Sequence, residues 1–289
     1  MDGLVTHPPG TDNRSQVLES LIAAAVQAPS GDNCQPWRFA VDEDQGQIVV
    51  SVDPARDPSP MNAGQRMARI AVGAAIENIV RTAEANQTTA DVYHSSPHAV
   101  VVQLRGLPQQ PLAVPAAVTA RHTNRRPYEG RPVAPPIVQA LASQTPACPL
   151  VKTHWLVQPE RIKQLAEIIA AADTILFNAA CMRNGFLENV RFDVPPNHPV
   201  DQGLSLAALE LKRPDALALR LMAHLPNRLL QWVQVGRAFA KPTRQLVHSA
   251  AGLCLGVAAD HRPQTDFAVG RAMQRAWLAL TEHQMAVQP

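Results

Sequence analysis

The stretch Ala28-Pro29-Ser30-Gly31-Asp32-Asn33-Cys34-Gln35-Pro36-Trp37-Arg38-Phe39 decides how this chain is read. Before it, Val17, Leu18, Leu21, Ile22, Ala25 and Val26 recur at helical spacing, and Pro29-Ser30-Gly31 stops that run. After it, Trp37 to Val41 and Gln47 to Val52 read as short strands around an acidic turn with Gly46. A helix ends, a loop of turn formers presents Ser30, Asn33 and Gln35, and a strand begins at the aromatic. Such a loop can offer backbone N–H groups and side-chain amides to a flat polar heterocycle, whose edge needs donors and acceptors. The same residues also suit a plain helix-to-strand turn in which Asn and Gly supply unusual dihedrals.

Working outward, Arg66 to Asn86 has helical period and many small residues, and Ala99 to Leu104 reads as a strand that completes a first α+β unit. Pro108, Pro111 and Pro115 then mark a linker that regular helix cannot cross. Beyond it the pattern predicts a short helix at Pro135–Ser143 and a strand at Val151–Val157. Helices are predicted over Pro159–Ala172, Thr174–Phe192, Pro214–His224 and Asn227–Ala240. A last helix, Thr265–His283, carries Val269, Met273, Trp277 and Leu280 on one stripe. Small-residue helices around Gly73 and Ala272 hint at two related halves, 1–115 and 116–289.

The second informative segment is Arg121-His122-Thr123-Asn124-Arg125-Arg126-Pro127-Tyr128. If it is extended, Arg121, Thr123 and Arg125 point the same way, so that two guanidinium forks and a hydroxyl converge on a phosphate-sized target. Each charge-assisted bond to such an anion contributes roughly 1.5–3 kcal/mol. A solvated basic loop is the other reading of these four arginines between Arg121 and Arg131.

Composition narrows the classes. With 26 Lys+Arg against 24 Asp+Glu in 289 residues, the formal charge of +2 gives no electrostatic sign of a nucleic-acid partner. Cys34, Cys148, Cys181 and Cys254 show no zinc spacing and read as small buried hydrophobes in a reducing compartment. Met1–Gly10 has no leader-like pattern, and the apolar stretch Gln245–Ala259 is too short and interrupted to span a bilayer, so no membrane partner and a cytoplasmic location are expected. His122 and His154 stand alone and Cys34 has no neighbouring base, so no catalytic residue is assigned and no metal site is expected.

Together the two segments resemble the FMN-dependent nitroreductase family. Pro29, Ser30, Asn33, Gln35, Pro36 and Trp37 match its Pro-Ser-x-x-Asn-x-Gln-Pro-Trp motif, and Arg121, Thr123 and Arg125 match its Arg-x-Ser/Thr-x-Arg/Lys phosphate motif. The final helix, from Gly270, is similar to the family's late helix. Here the Gln-Pro-Trp loop comes first, an order that resembles the single-chain tandem branch associated with ThiF-type proteins, in which two degenerate halves imitate the usual dimer.

The resemblance implies an α+β, three-layer fold with a central mixed sheet flanked by helices, and one FMN between the halves. Arg121, Thr123 and Arg125 would take the phosphate, while Pro29, Ser30, Asn33 and Gln35 would lie near the ring. It further implies NAD(P)H as transient donor, a nitroarene or quinone as acceptor, and a monomeric pseudo-dimer or a homodimer. A flavin-sequestering protein and a cofactor-free interaction domain are the alternatives. The family continues past this point with a strand and basic tail, so the second half reads as truncated at Pro289. The insert Arg191–Leu206 reads as a lid or as a surface connection.

Overall fold

Hydrophobic period sets the first layer. The computed structural model describes residues 11–144, 148–195, 198 and 200–289, and in it helix α1 spans Thr11–Ala25. Strands β1 (Trp37–Asp42), β2 (Gln47–Val52), β3 (Thr89–Ser96) and β4 (Ala99–Arg105) form one sheet in the order β1-β2-β4-β3. Every neighbour in it is antiparallel. This corrects the mixed sheet expected from the sequence: tight turns make the β1–β2 and β3–β4 pairs antiparallel, and β4 also runs antiparallel to β2. Strand β3 was missed because it is exposed along most of its length and shows no clean apolar alternation.

Helix α2 (Arg66–Ala85) lies on this sheet and is buried almost all round, since α1 and a later helix cover its other sides. Val17, Leu21, Ile48, Val50, Ile76, Ile79, Val100 and Val102 share the resulting core. Burying each such side chain contributes about 1.5–3 kcal/mol.

After the proline-marked linker come α3 (Ala116–Ala120), α4 (Pro135–Gln144) and β5 (Val151–Leu156). Next are α5 (Pro159–Asn178), α6 (Ala180–Asn189), the two-residue strands β6 (Val190–Arg191) and β7 (Leu204–Ser205), α7 (Arg213–His224), α8 (Asn227–Trp232) and α9 (Gly236–Ser249). Strand β8 (Leu253–Ala258) returns antiparallel to β5, and α10 (Pro263–Glu282) follows. The long helical insertion thus sits where a hairpin turn would join β5 to β8.

Boundaries differ from expectation for local reasons. The break between the two insertion helices falls at Ala179, whose ψ of 118° is extended, and α5 and α6 meet there at 89°. The apolar run Gln245–Ala259 splits into the end of α9 and β8, which periodicity alone could not separate. Helix α9 continues through Pro242, which supplies no N–H to the carbonyl of Ala238, an exposed residue. Among the cysteines only Cys34 is buried; Cys148 is half-buried, and Cys181 and Cys254 are exposed, which corrects the uniform buried reading. Among the described residues no single helix is long and apolar enough to cross a membrane. Met1–Gly10 lies outside those residues, as do positions 196, 197 and 199 of the insert.

Helices α2 and α10 cross in direct backbone contact. A Cβ on Gly73 would run into the Phe267 carbonyl, and one on Gly270 into the Ile70 carbonyl. A shift of 197 positions carries Arg69 onto Asp266, which are themselves partners, and likewise Ile70 onto Phe267 and Gly73 onto Gly270. Under the same shift the bond Arg275–Glu77 maps onto the bond between Asn78 and Gln274. Around the crossing, Arg69 donates twice to the fully buried Asp266, and Arg271 and Arg275 both reach the fully buried Glu77.

Candidate functional site

The loop after α1 is held in an unusual backbone shape. Asp32, Asn33 and Gln35 have φ of 47°, 55° and 50°, a left-handed conformation that costs non-glycine residues about 1 kcal/mol or more each and is least unfavourable for Asp and Asn. Ser30 Oγ accepts from the Gln35 N–H at 3.0 Å, and Arg56 Nε donates to the Cys34 carbonyl at 3.0 Å. Gly31 leaves room for the Met67 methyl at 2.7 Å from where its Cβ would stand.

Beneath the loop, burial raises the pKa of Asp32, against an opposing hydrogen bond from Asn189, with Asp57 raising it further and Arg125 lowering it. Burial raises Asp57 as well. The Cys34 thiol is pushed up to about 12 by burial and by the two aspartates, so it is not a nucleophile near neutral pH.

The arginine segment is non-helical and forms an isolated bridge at Thr123, but its side chains part company. Arg121 turns back to α1: one guanidinium nitrogen donates to the Gln27 carbonyl at 2.9 Å, and the group lies 4.6 Å from the centre of the Trp277 ring. Its Nε is buried without an acceptor, and burial brings its pKa down to about 10. Thr123 bridges Val287, and the next amide, Asn124, donates to the Val287 carbonyl at 2.8 Å. Arg125 instead donates to the Ala208 carbonyl at 3.0 Å, while its amide donates to Glu210 at 3.1 Å. Burial lowers the pKa of Arg125, and Glu210 and Asp32 oppose that shift. Arg126 pairs with the other Glu210 oxygen at 3.0 Å.

A third element, read only as a lid or connection, joins the two segments. Asn33 donates through its amide to the Val200 and Gly203 carbonyls at 3.3 and 3.2 Å, and Gln35 donates to the Asp201 carbonyl. In return the Gly203 N–H donates to the Asn33 carbonyl, Gln202 donates to the Arg56 carbonyl, and Asn189 donates to Asp32 at 3.2 Å. Gly203, at φ 93°, has no room for a Cβ beside the Asn189 carbonyl. Residues 200–210 thus form a strap across both predicted segments. They engage the amides of Asn33 and Gln35 and the guanidinium of Arg125.

Fold and contacts together bring the Ser30–Gln35 loop and the Arg121–Arg125 segment to one place, with Arg125 close enough to Asp32 to affect its ionisation. They do not turn Arg121 and Arg125 toward one shared acceptor. Sequence reading missed Asp57, Asn189, Glu210 and the Trp277 contact. Of these only Trp277 carried a signal, as a member of the last helix's apolar stripe. Two clefts, of 690 Å³ between β5, β8 and α5 and of 300 Å³ beside α3, are lined by no residue of either segment. Among the described residues no three His, Cys, Asp or Glu side chains gather as a metal site.

These features define an α+β protein whose N-terminal loop and central arginine segment meet under a common strap. No protein-family model matches the chain. It is 30% identical over 294 aligned residues to the uncharacterized protein MT1398 of Mycobacterium tuberculosis (strain CDC 1551 / Oshkosh). The alignment covers 98% of this chain and 40% of that protein, so the chain spans about two fifths of the length of its mycobacterial relative.

Proposed function

We propose that this chain is an FMN-dependent oxidoreductase of nitroreductase-like architecture, passing hydride from NAD(P)H through the flavin to a small electron-poor acceptor of nitroarene or quinone type. The observation that carries the reading is Arg121, a desolvated guanidinium with an orphaned Nε and no carboxylate partner among the described residues. A buried cation of this kind is costly until an anion joins it. Arg125, also desolvated, stands four residues on in the same segment.

In this reading Arg121, Thr123 and Arg125 lie on the phosphate of a flavin mononucleotide and Pro29, Ser30, Asn33 and Gln35 along its ring, which requires the two guanidinium groups, now donating to the Gln27 and Ala208 carbonyls, to turn toward one anion. Bound FMN would supply the redox chemistry, while the protein supplies position and electrostatics. Ser30 keeps the loop in shape through its bond to the Gln35 amide, so its part is to order the donors. Asn33 and Gln35 each carry a side-chain amide that becomes free for a ring edge once the strap moves. No side chain is assigned a proton-transfer role.

The relation between α2 and α10 under a shift of 197 positions supports two degenerate halves that imitate a dimer within one chain. The length of the mycobacterial relative is compatible with a further domain beside such a region, for which a ThiF-type domain is the proposed partner. The strap favours a second reading, flavin sequestration with little turnover, because it already lies across the ring-side donors.

The absorbance spectrum of the purified protein tests both. A protein that is colourless and takes up no added FMN loses both readings and leaves an interaction domain. Bleaching of bound flavin by NAD(P)H without oxygen supports the oxidoreductase. Bleaching by dithionite alone supports sequestration.

A further inference from the structure

We propose that the outer faces of α7 and α8 form a docking surface for an anionic lipid bilayer, on which the protein lies without crossing. Six large apolar side chains between positions 217 and 233 stand in solvent: Leu217, Leu221, Leu225, Leu229, Trp232 and Val233. Trp232 is 81% exposed, and the others range from 42% to 59%. Single exposed leucines need no explanation, but a concentration of this size marks an interaction surface.

The face is a designed one in helical terms. At about 100° per residue, Leu217 and Leu221 fall on one side of α7 and the buried Leu219 and Met222 on the other. Leu219, Met222 and the α8 residue Leu230 pack inward with Val190. The exposed leucines are therefore surplus to the core.

Charge decides which partner suits this surface. Between Lys212 and Arg244 the chain has seven basic residues against one acid, Asp215, although the whole chain carries only +2. Arg244 pairs with Glu167. Lys212, Arg213, Arg220, Arg228, Arg237 and Lys241 are exposed and form no ion pair among the described residues. On α7, Arg213, Arg220 and His224 flank the exposed leucines, an arrangement that lets apolar side chains enter the headgroup boundary while the cations meet lipid phosphates. An exposed tryptophan suits the same boundary. A nucleic acid would use the charge but leave the leucines in water. The near-balanced whole-chain charge averages this patch away, and the expectation of no membrane partner considered only spans that cross a bilayer.

Flotation of the whole chain with phosphatidylcholine vesicles, with and without phosphatidylglycerol, tests the proposal. Binding should require the anionic lipid, weaken in high salt and bring a blue shift in tryptophan emission that Trp232→Phe removes. Arg213→Gln with Arg220→Gln should lower partitioning by about tenfold or more, and Leu221→Gln with Trp232→Ser should lower it similarly. Both pairs are exposed, so an unchanged circular dichroism spectrum should accompany the loss. Three results would each overturn the proposal: no flotation with anionic vesicles, partitioning unchanged in both double variants, or a dimer in sedimentation velocity that Trp232→Ser returns to monomer, which would assign the face to a second copy.

Discussion

Gly73 and Gly270 face each other where α2 crosses α10, each leaving room for the backbone of the opposite helix. The Cβ that Gly73 lacks would stand 3.1 Å from the Gly270 Cα and against the Phe267 carbonyl; the one that Gly270 lacks would stand 3.0 Å from the Gly73 Cα and against the Ile70 carbonyl. Backbone atoms cannot step aside as a side-chain tip can. Gly270→Ala should therefore cost about 3 kcal/mol or more, despite the better helix propensity of alanine. Urea unfolding of Gly270→Ala and Gly106→Ala provides the comparison. Gly106 has open space around it but a φ of 71°, so its substitution should cost only about 1 kcal/mol. Equal losses at both sites would mean that the helices are not in backbone contact.

The same crossing buries charge. Asp266 is fully buried and takes two bonds from Arg69, at 2.9 and 2.7 Å, and one from the more exposed Arg66 at 3.2 Å. Asp266→Asn removes the counter-charge but keeps most of the volume, leaving Arg69 buried beside a neutral amide. Breaking a buried pair from one side costs about 3–5 kcal/mol. The paired change Arg69→Met with Asp266→Leu should recover much of that loss, because the isolated charge disappears with its partner. Chemical denaturation of the native protein and the two variants checks the order, and a double variant less stable than Asp266→Asn would contradict it.

The features legible in the sequence were those with strong local signals. Helix α1, strands β1 and β2, helix α2 and helix α10 follow from period and, for the first of them, from punctuation at Pro29 and Gly46, and the structure places them within a few residues of expectation. The insertion α5–α9 was harder, because α5 and α6 share one continuous apolar pattern through Ala179 and only the fold decides where it bends. Of the site, the two polar segments were visible because unusual residue types crowd there. The strap was visible only as a lid or surface connection over 191–206, and its contacts were not, since they run mostly through main-chain carbonyls of Val200, Asp201, Gly203 and Ala208, which every sequence possesses. Glu210 reaches the arginines across 85 positions, a pairing that no spacing rule anticipates.

Asp32 and Asp57 give the chain a specific dependence on pH. Burial raises the pKa of both in the folded protein above the ordinary carboxylate value of about 4. The folded state then binds protons that the unfolded state has already released. The stabilisation they lend is full below the unfolded pKa and is lost as pH rises through the folded values. Urea midpoints should therefore show a fall beginning near pH 4 that Asp32→Asn with Asp57→Asn flattens. Both asparagines can still accept, through their amide oxygens, the bonds now donated by Asn189 and by the Ser59 amide. Parallel pH profiles for the native and doubly substituted proteins would mean that neither carboxyl is shifted.

Glu210 and the proposed phosphate compete for one cation. The Glu210 carboxylate accepts from the Arg125 amide at 3.1 Å and pairs with Arg126 at 3.0 Å, while the Arg125 guanidinium is held on the Ala208 carbonyl two residues earlier. An incoming phosphate must displace this arrangement against the charge of Glu210. Glu210→Gln removes the repulsion and loosens the strap, at a stability cost within about 1 kcal/mol because the pair is near the surface. Arg125→Ala removes a fork that contributes roughly 1.5–3 kcal/mol to a phosphate, about ten- to a hundredfold in affinity. Quenching of FMN fluorescence should accordingly show tighter binding for Glu210→Gln and weaker binding for Arg125→Ala. Riboflavin, which lacks the phosphate, should lose affinity in neither variant. A riboflavin affinity that falls with Arg125→Ala would place that side chain on the ring rather than on the phosphate. Weaker FMN binding in Glu210→Gln would mean that the carboxylate orders the site instead of blocking it.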